Sequence, residues 1–159
     1  VSSTVNEPSV VDGGAFTVRR SILISAPIEK VWSAVSEPAH ISRWFGRAVL
    51  HGSGVGAHGT LTFDGGRAVP VRIEHVEEPR VISYRWTNDD ARDVLPEQVD
   101  VEHSTVVTFT LENASGGTRL TVVETGFETL ADPAADLETH RTGWNVELDK
   151  LVDLLEGAS

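Results

Sequence analysis

The spacing of apolar residues from position 48 onward restricts this chain more than any single motif does. Residues 48–50, 58–63, 67–76, 81–86, 101–111 and 118–124 alternate or cluster β-branched and aromatic side chains, the pattern of half-buried strands. The stretches between them include Asp64-Gly65-Gly66, Glu77-Glu78-Pro79 and Ala114-Ser115-Gly116-Gly117, which form turns and are too short for the crossover a parallel pair needs. An antiparallel meander is therefore expected. The longer connection, residues 87–100, carries Asp89, Asp90, Asp93, Glu97 and Asp100 and reads as a solvated loop or a lid.

One more strand and two short helices precede this run. Phe16, Val18, Ile22 and Ile24 fall on one side of an alternating pattern that Arg20 interrupts. Arg20 reads as an arginine laid over apolar surface, with Glu124 or a ligand carboxylate as alternative partners. Pro27 suits the first turn of a helix, where its missing N–H has no partner to lose, and Val31, Trp32 and Val35 recur at helical spacing. A second short helix is expected from Pro38 to about Trp44, with Ile41, Trp44 and Phe45 turned inward. The first fourteen residues show no apolar period and are expected to be a mobile tail, followed by a single domain over 15–157.

The chain closes on a long helix. Asp132 can cap it, Pro133 can begin it, and Gly157 is placed to stop it. Leu137, Trp144, Leu148, Leu151 and Leu155 form its apolar stripe, opposite Glu138, Glu147, Asp149, Lys150 and Asp153. Such a helix packs one face on a sheet. Gly143 inside it costs about 1 kcal/mol relative to alanine, which a kink, a close backbone contact or plain tolerance would explain.

Composition removes several function classes. The chain has 159 residues, one core's worth, and its net charge of −11 opposes phosphate backbones, so nucleic acid is not an expected partner. It contains no cysteine, which excludes disulfides, thiol nucleophiles and thiolate metal sites. No apolar run is long enough to span a bilayer and no signal core opens the sequence, so a soluble, cytoplasmic protein without stable membrane insertion is expected.

Other motifs lack their context. Gly54-Val55-Gly56-Ala57-His58-Gly59 fits a dinucleotide fingerprint but leads into a strand, leaving no helix N-terminus for a pyrophosphate, so no cofactor is expected. Histidines 40, 51, 58, 75, 103 and 140 lie on different expected elements without HxH or HExxH spacing, and no metal is expected. The acidic loop lacks the ligand spacing of an EF-hand, and no GxSxG nucleophile elbow is present.

Three stretches carry a resemblance to a known family: Ile24-Ser25-Ala26-Pro27-Ile28-Glu29-Lys30-Val31-Trp32; Pro38 through Arg43-Trp44-Phe45-Gly46; and Glu78-Pro79-Arg80 leading to Tyr84-Arg85-Trp86. With Gly143-Trp144 and the leucines after it, they resemble the Hsp90-ATPase-activator-like proteins of the START/Bet v 1 superfamily. The resemblance implies an α+β helix-grip fold, in which a curved seven-stranded antiparallel sheet wraps around the long C-terminal helix and two short helices follow strand 1. The resemblance implies an association with the stress response, but Hsp90 stimulation does not follow from it, because the eponymous co-chaperone relies on a separate N-terminal domain for which this length leaves no room. Superfamily members hold lipids, sterols or polyketides between sheet and helix, and some have become cyclases, aromatases or hydrolases.

In that geometry strand alternation turns Tyr84 and Trp86, Val107 and Phe109, Leu61 and Phe63, and Val71 and Ile73 toward the helix. Trp144 and Leu148 would form the roof, and Trp44 and Phe45 would close one end. The same residues would equally serve a filled core. His103, Tyr84 and Glu124 are the polar residues expected on this face, and His103 is not read as catalytic. The leading expectation is binding of an apolar or amphipathic small molecule, lipid-like or polyketide-like. Alternatives are an interaction module, either a homodimer or a chaperone accessory, and an enzyme such as a cyclase or hydrolase.

Overall fold

A computed structural model describes residues 6–63, 66–89 and 94–157. Asp64 and Gly65 of one expected turn, Asp90 and Asp93 of the acidic loop, and the first five residues of the expected tail lie outside the described residues.

Strands β1 (Val10–Asp12) and β2 (Thr17–Ile24) are followed by helices α1 (Ile28–Ser36) and α2 (Pro38–Ile41). Strands β3 (Arg47–His51), β4 (His58–Thr62), β5 (Ala68–Glu77), β6 (Val81–Trp86), β7 (Thr105–Ala114) and β8 (Gly117–Thr125) come next, and helix α3 (Pro133–Gly157) closes the chain. All strands pair antiparallel in one sheet of order β1-β2-β8-β7-β6-β5-β4-β3. The curved open sheet and its C-terminal helix make the helix-grip fold.

The described sheet has eight strands where seven were expected. The additional one, Val10–Asp12, falls in the stretch read as a tail and is too short to show a period of two. Its position is set at long range. Arg20, 6 % exposed, donates to Glu7 O at 2.9 Å and Asn145 O at 3.1 Å and meets Asp149 Oδ1 at 2.9 Å, while Ser9 N donates to Asn145 Oδ1 at 2.7 Å. Arg20 therefore fastens the N-terminal segment and β2 to α3, and its carboxylate partner is Asp149.

One face of the central strands is buried. Val18 of β2, Glu124 of β8, Val107 of β7, Tyr84 of β6 and Ile73 of β5 lie in a single cross-strand row, and Val122, Phe109 and Ile82 occupy the next. The register of β5 shifts between Ile73 and His75, a bulge that bends the strand. A Cβ at Gly59 would stand 1.8 Å from Val49 O, so glycine is needed where β3 and β4 meet.

Helix α3 begins as its sequence requires, with Ala135 N donating to Asp132 Oδ1 at 3.2 Å. Leu137, Trp144, Leu148 and Leu151 are buried, and so are Asp136 and His140 on the same stripe. Gly143 meets no close contact: α3 runs unbroken from Pro133 to Gly157, and nothing lies within 4 Å of a Cβ built on it.

The segment 101–111 is not one strand. Val101–His103 forms a 3₁₀ turn whose start is capped by the Asp100 side chain, which accepts from Glu102 N at 3.2 Å, and β7 begins only at Thr105. An aspartate that bonds its own following backbone offers the chain a turn in place of a ladder rung.

Leu148, fully buried under the sheet, tests this packing. Leu148→Ala is expected to lower the unfolding free energy in urea by about 2–5 kcal/mol, and a loss below about 1 kcal/mol would show that α3 does not roof the core.

Candidate functional site

Two spaces between sheet and α3 meet at the same aromatic rings. Inside lies an apolar cavity of only about 20 Å³, walled by Trp44, Phe45, Leu61, Val71, Tyr84, Trp86, Val107, Phe109 and Trp144, with Val35, Ile41, Ala48 and Leu50 closing it. That is room for about one water molecule, so the interior assigned to a ligand by the alternation pattern is packed nearly to completion. Outside it a cleft of about 400 Å³ runs between the sheet wall and α3, in the size range of small-molecule sites. Phe45, Phe63, Trp86, Trp144 and Val146 give the cleft apolar faces; Arg67, Asn88, Thr139, His140 and Glu147 give it polar ones.

Phe45, Trp86 and Trp144 border both spaces and form the partition between them. Their rings lie within about a third of a right angle of parallel: Phe45 is 5.3 Å from Trp144 at 21° and 5.7 Å from Trp86 at 32°, and the two tryptophans are 6.1 Å apart at 29°. Trp44 stacks on Phe45 at 5.0 Å, and Phe63 meets it edge-on at 5.2 Å.

Beneath the partition sits Glu124, wholly buried, with four side chains donating to its carboxylate. Trp144 Nε1 reaches Oε1 at 2.9 Å, Trp86 Nε1 reaches Oε2 at 2.9 Å, and Thr105 Oγ1 reaches Oε2 at 2.5 Å. His140 Nδ1 lies 2.8 and 2.9 Å from the two oxygens. Burial alone would raise the carboxyl's pKa, but attraction to His140 and the hydrogen bonds from His140, Thr105 and Trp144 hold it below its ordinary value of 4.5. Tyr84 is treated differently: its hydroxyl donates to Val35 O at 2.6 Å, and burial pushes the phenol well above its ordinary range.

Several expected site residues lie elsewhere. His103 stands exposed on the 3₁₀ turn with Nδ1 3.0 Å from Asp100 Oδ2, because the turn removes it from the inward row of β7. Ile73 and Leu148 are buried but border neither space, and Phe63 belongs to the cleft alone. Glu124 faces inward, yet its oxygens are sealed under their donors, which makes it a structural anchor. His140 was not singled out from sequence, although it stands at helical spacing between Leu137 and Trp144 on the buried stripe.

His51 and His58, which the sequence put on separate elements, are directly opposed across β3 and β4 with ring centres 5.9 Å apart. Among the described residues no group of three or more potential ligands could hold a metal ion, and no helix is long and apolar enough to cross a membrane. The glycine-rich segment after β3 leads into β4, and no helix begins there.

A curved antiparallel sheet gripping a C-terminal helix, with a cleft where the two part, defines the helix-grip class. The family model described as "Activator of Hsp90 ATPase homolog 1-like protein" matches residues 25–156, and the chain belongs to that family. Among solved structures it is similar to protein MLL2253 from Mesorhizobium loti, at 28% identity and a TM-score of 0.73, covering 90% of this chain and 98% of that one. It is also similar to DynU16, a protein in the dynemicin biosynthetic locus, at 26% identity and a TM-score of 0.69, covering 88% of this chain and 47% of that one, so it spans about half of DynU16. The Aha1 dimer from Colwellia psychrerythraea shares the fold at 21% identity and a TM-score of 0.68, covering 90% and 98%. No curated protein matches the chain.

The Glu124 cluster makes a prediction about pH. A carboxyl whose folded pKa is depressed adds stability above its unfolded pKa and loses it as pH falls through the folded value. Glu124→Gln is expected to cost roughly 3 kcal/mol at pH about 7 and to flatten the loss of stability as pH falls below the ordinary carboxyl value of 4.5 in urea titrations. Parallel pH profiles for the two proteins would contradict a buried ionised Glu124.

Proposed function

We propose that the chain binds an apolar or amphipathic small molecule, lipid-like or polyketide-like, in the cleft between the sheet wall and α3. The observation that carries this reading is the cleft's mixed lining: about 400 Å³ bordered by the rings of Phe45, Phe63, Trp86 and Trp144 together with the polar side chains of Arg67, Asn88, Thr139 and Glu147. Apolar surface entering the cleft leaves water at a gain of about 25 cal/mol per Å², while a few polar side chains fix orientation. The link of DynU16 to the dynemicin locus supports the polyketide-like alternative. The negative charge and lack of cysteine suit work in the cytoplasm.

Gly143 lines this cleft, and a side chain there would enter open space. In thermal unfolding against fatty acids, sterols, flavonoids and polyketide-like aromatics, one class is expected to raise Tm by a few degrees, since ligand at about a hundred times Kd stabilises by about 2.7 kcal/mol. Gly143→Leu is expected to intrude on part of the cleft and reduce the shift without lowering the ligand-free Tm. A shift left unchanged by this substitution would place the ligand elsewhere, and no shift with any class would remove the small-molecule reading.

A second reading, a homodimer, is suggested by the dimeric Aha1 structure from Colwellia psychrerythraea. Light scattering on a size-exclusion column is expected to give a mass near twice 17.2 kDa if it holds, and near 17.2 kDa if it does not.

A further inference from the structure

We infer that Trp44, Trp86 and Trp144 form a slot for a planar aromatic ring, and that Phe45 occupies this slot until a ligand's ring displaces it. The inference rests on the cleft reading above and narrows it to a chemical class: flat, fused-ring or polyphenyl molecules with a polar edge.

Three observations combine. Phe45 stacks on Trp44 and Trp144 at 5.0 and 5.3 Å and lies tilted against Trp86 at 5.7 Å, the offset geometry that a ligand's aromatic ring would adopt in its place. The walls do not depend on Phe45. Trp44 Nε1 donates to Ala34 O at 2.8 Å, and the Trp86 and Trp144 indoles are held by Glu124, so each tryptophan keeps its own anchor if the phenyl ring leaves. Phe45 itself is half-buried while the three tryptophans are 3–4 % exposed, and it sits on the short link between α2 and β3 rather than inside an element. Rotation of its side chain outward would join the inner cavity to the cleft, because it borders both. The slot explains why the interior is full without a ligand: the protein supplies a ring of its own, and exchange of one ring for another keeps the packing dense.

Calorimetric titration with 2-naphthol and with 1-decanol, similar in carbon count and each bearing one hydroxyl, tests this. The wild-type chain is expected to bind 2-naphthol at least about tenfold more tightly than 1-decanol. Phe45→Ala opens a ring-sized apolar space of the kind that takes up benzene, and is expected to tighten 2-naphthol binding by a further factor of about ten while changing 1-decanol little. Phe45→Leu, which keeps apolar volume but not the plane, stands in if the alanine variant does not melt cooperatively, and is held to the same direction. If 1-decanol binds as well as 2-naphthol, or the Phe45 variants tighten both equally, the slot is wrong and the cleft remains a general container. If 2-naphthol binds only after Phe45 is removed, Phe45 is ordinary core and the slot is equally wrong. If neither alcohol binds any of the three proteins, the slot and the cleft reading fail together.

Discussion

A single buried carboxylate constrains how this sheet and helix meet. Glu124 projects from β8 into the apolar face, where an ionised group without partners would be prohibitive to bury. Its two oxygens are satisfied from three directions: Trp86 of β6 and Thr105 of β7 in the sheet, and His140 and Trp144 of α3 above it. Each donor has direction as well as distance, so the carboxylate sets the rotation of α3 and the tilt of both indoles. A hydrophobic residue in its place would neither orient the rings nor satisfy the four buried donors, which would be left unpaired.

That geometry governs what the molecule can hold. The inner cavity has closed to about 20 Å³, while the cleft beside it keeps about 400 Å³, and the partition between them consists of aromatic rings. Two of those rings are tied to Glu124 and the third, Phe45, is tied to nothing polar. A wall made this way is rigid on one side and replaceable on the other. Gly143 of α3 lines the cleft and leaves open space where any other side chain would intrude.

Sequence patterning carried most of the architecture because strand and helix periods are local signals. The antiparallel order, the two short helices and the capped C-terminal helix all follow from spacing and turn chemistry. What escaped was set at long range. The pairing of β1 depends on Arg20 and Asn145, more than a hundred residues apart in the chain, and three residues cannot display a period. His103 was drawn into β7 by the alternation around it, whereas the Asp100 side chain had already committed that stretch to a 3₁₀ turn. Glu124 stood out as a charge on an apolar row, but its partner His140 was hidden in the seven-residue step from Leu137 to Trp144. Residue type and period can mark where a wall stands; whether the space behind it is open depends on the sum of many packing contacts.

The central claim is that the rings anchored by Glu124 wall a binding cleft, and the indole N–H resonances of the four tryptophans report on it directly. In a proton–nitrogen correlation spectrum, saturating a planar aromatic probe is expected to move the Trp44, Trp86 and Trp144 indole signals by ring-current effects and to leave Trp32, on α1 and bordering neither space, in place. Shifts confined to Trp32 or to the outer strand faces, with the Trp44, Trp86 and Trp144 indoles unmoved, would contradict it.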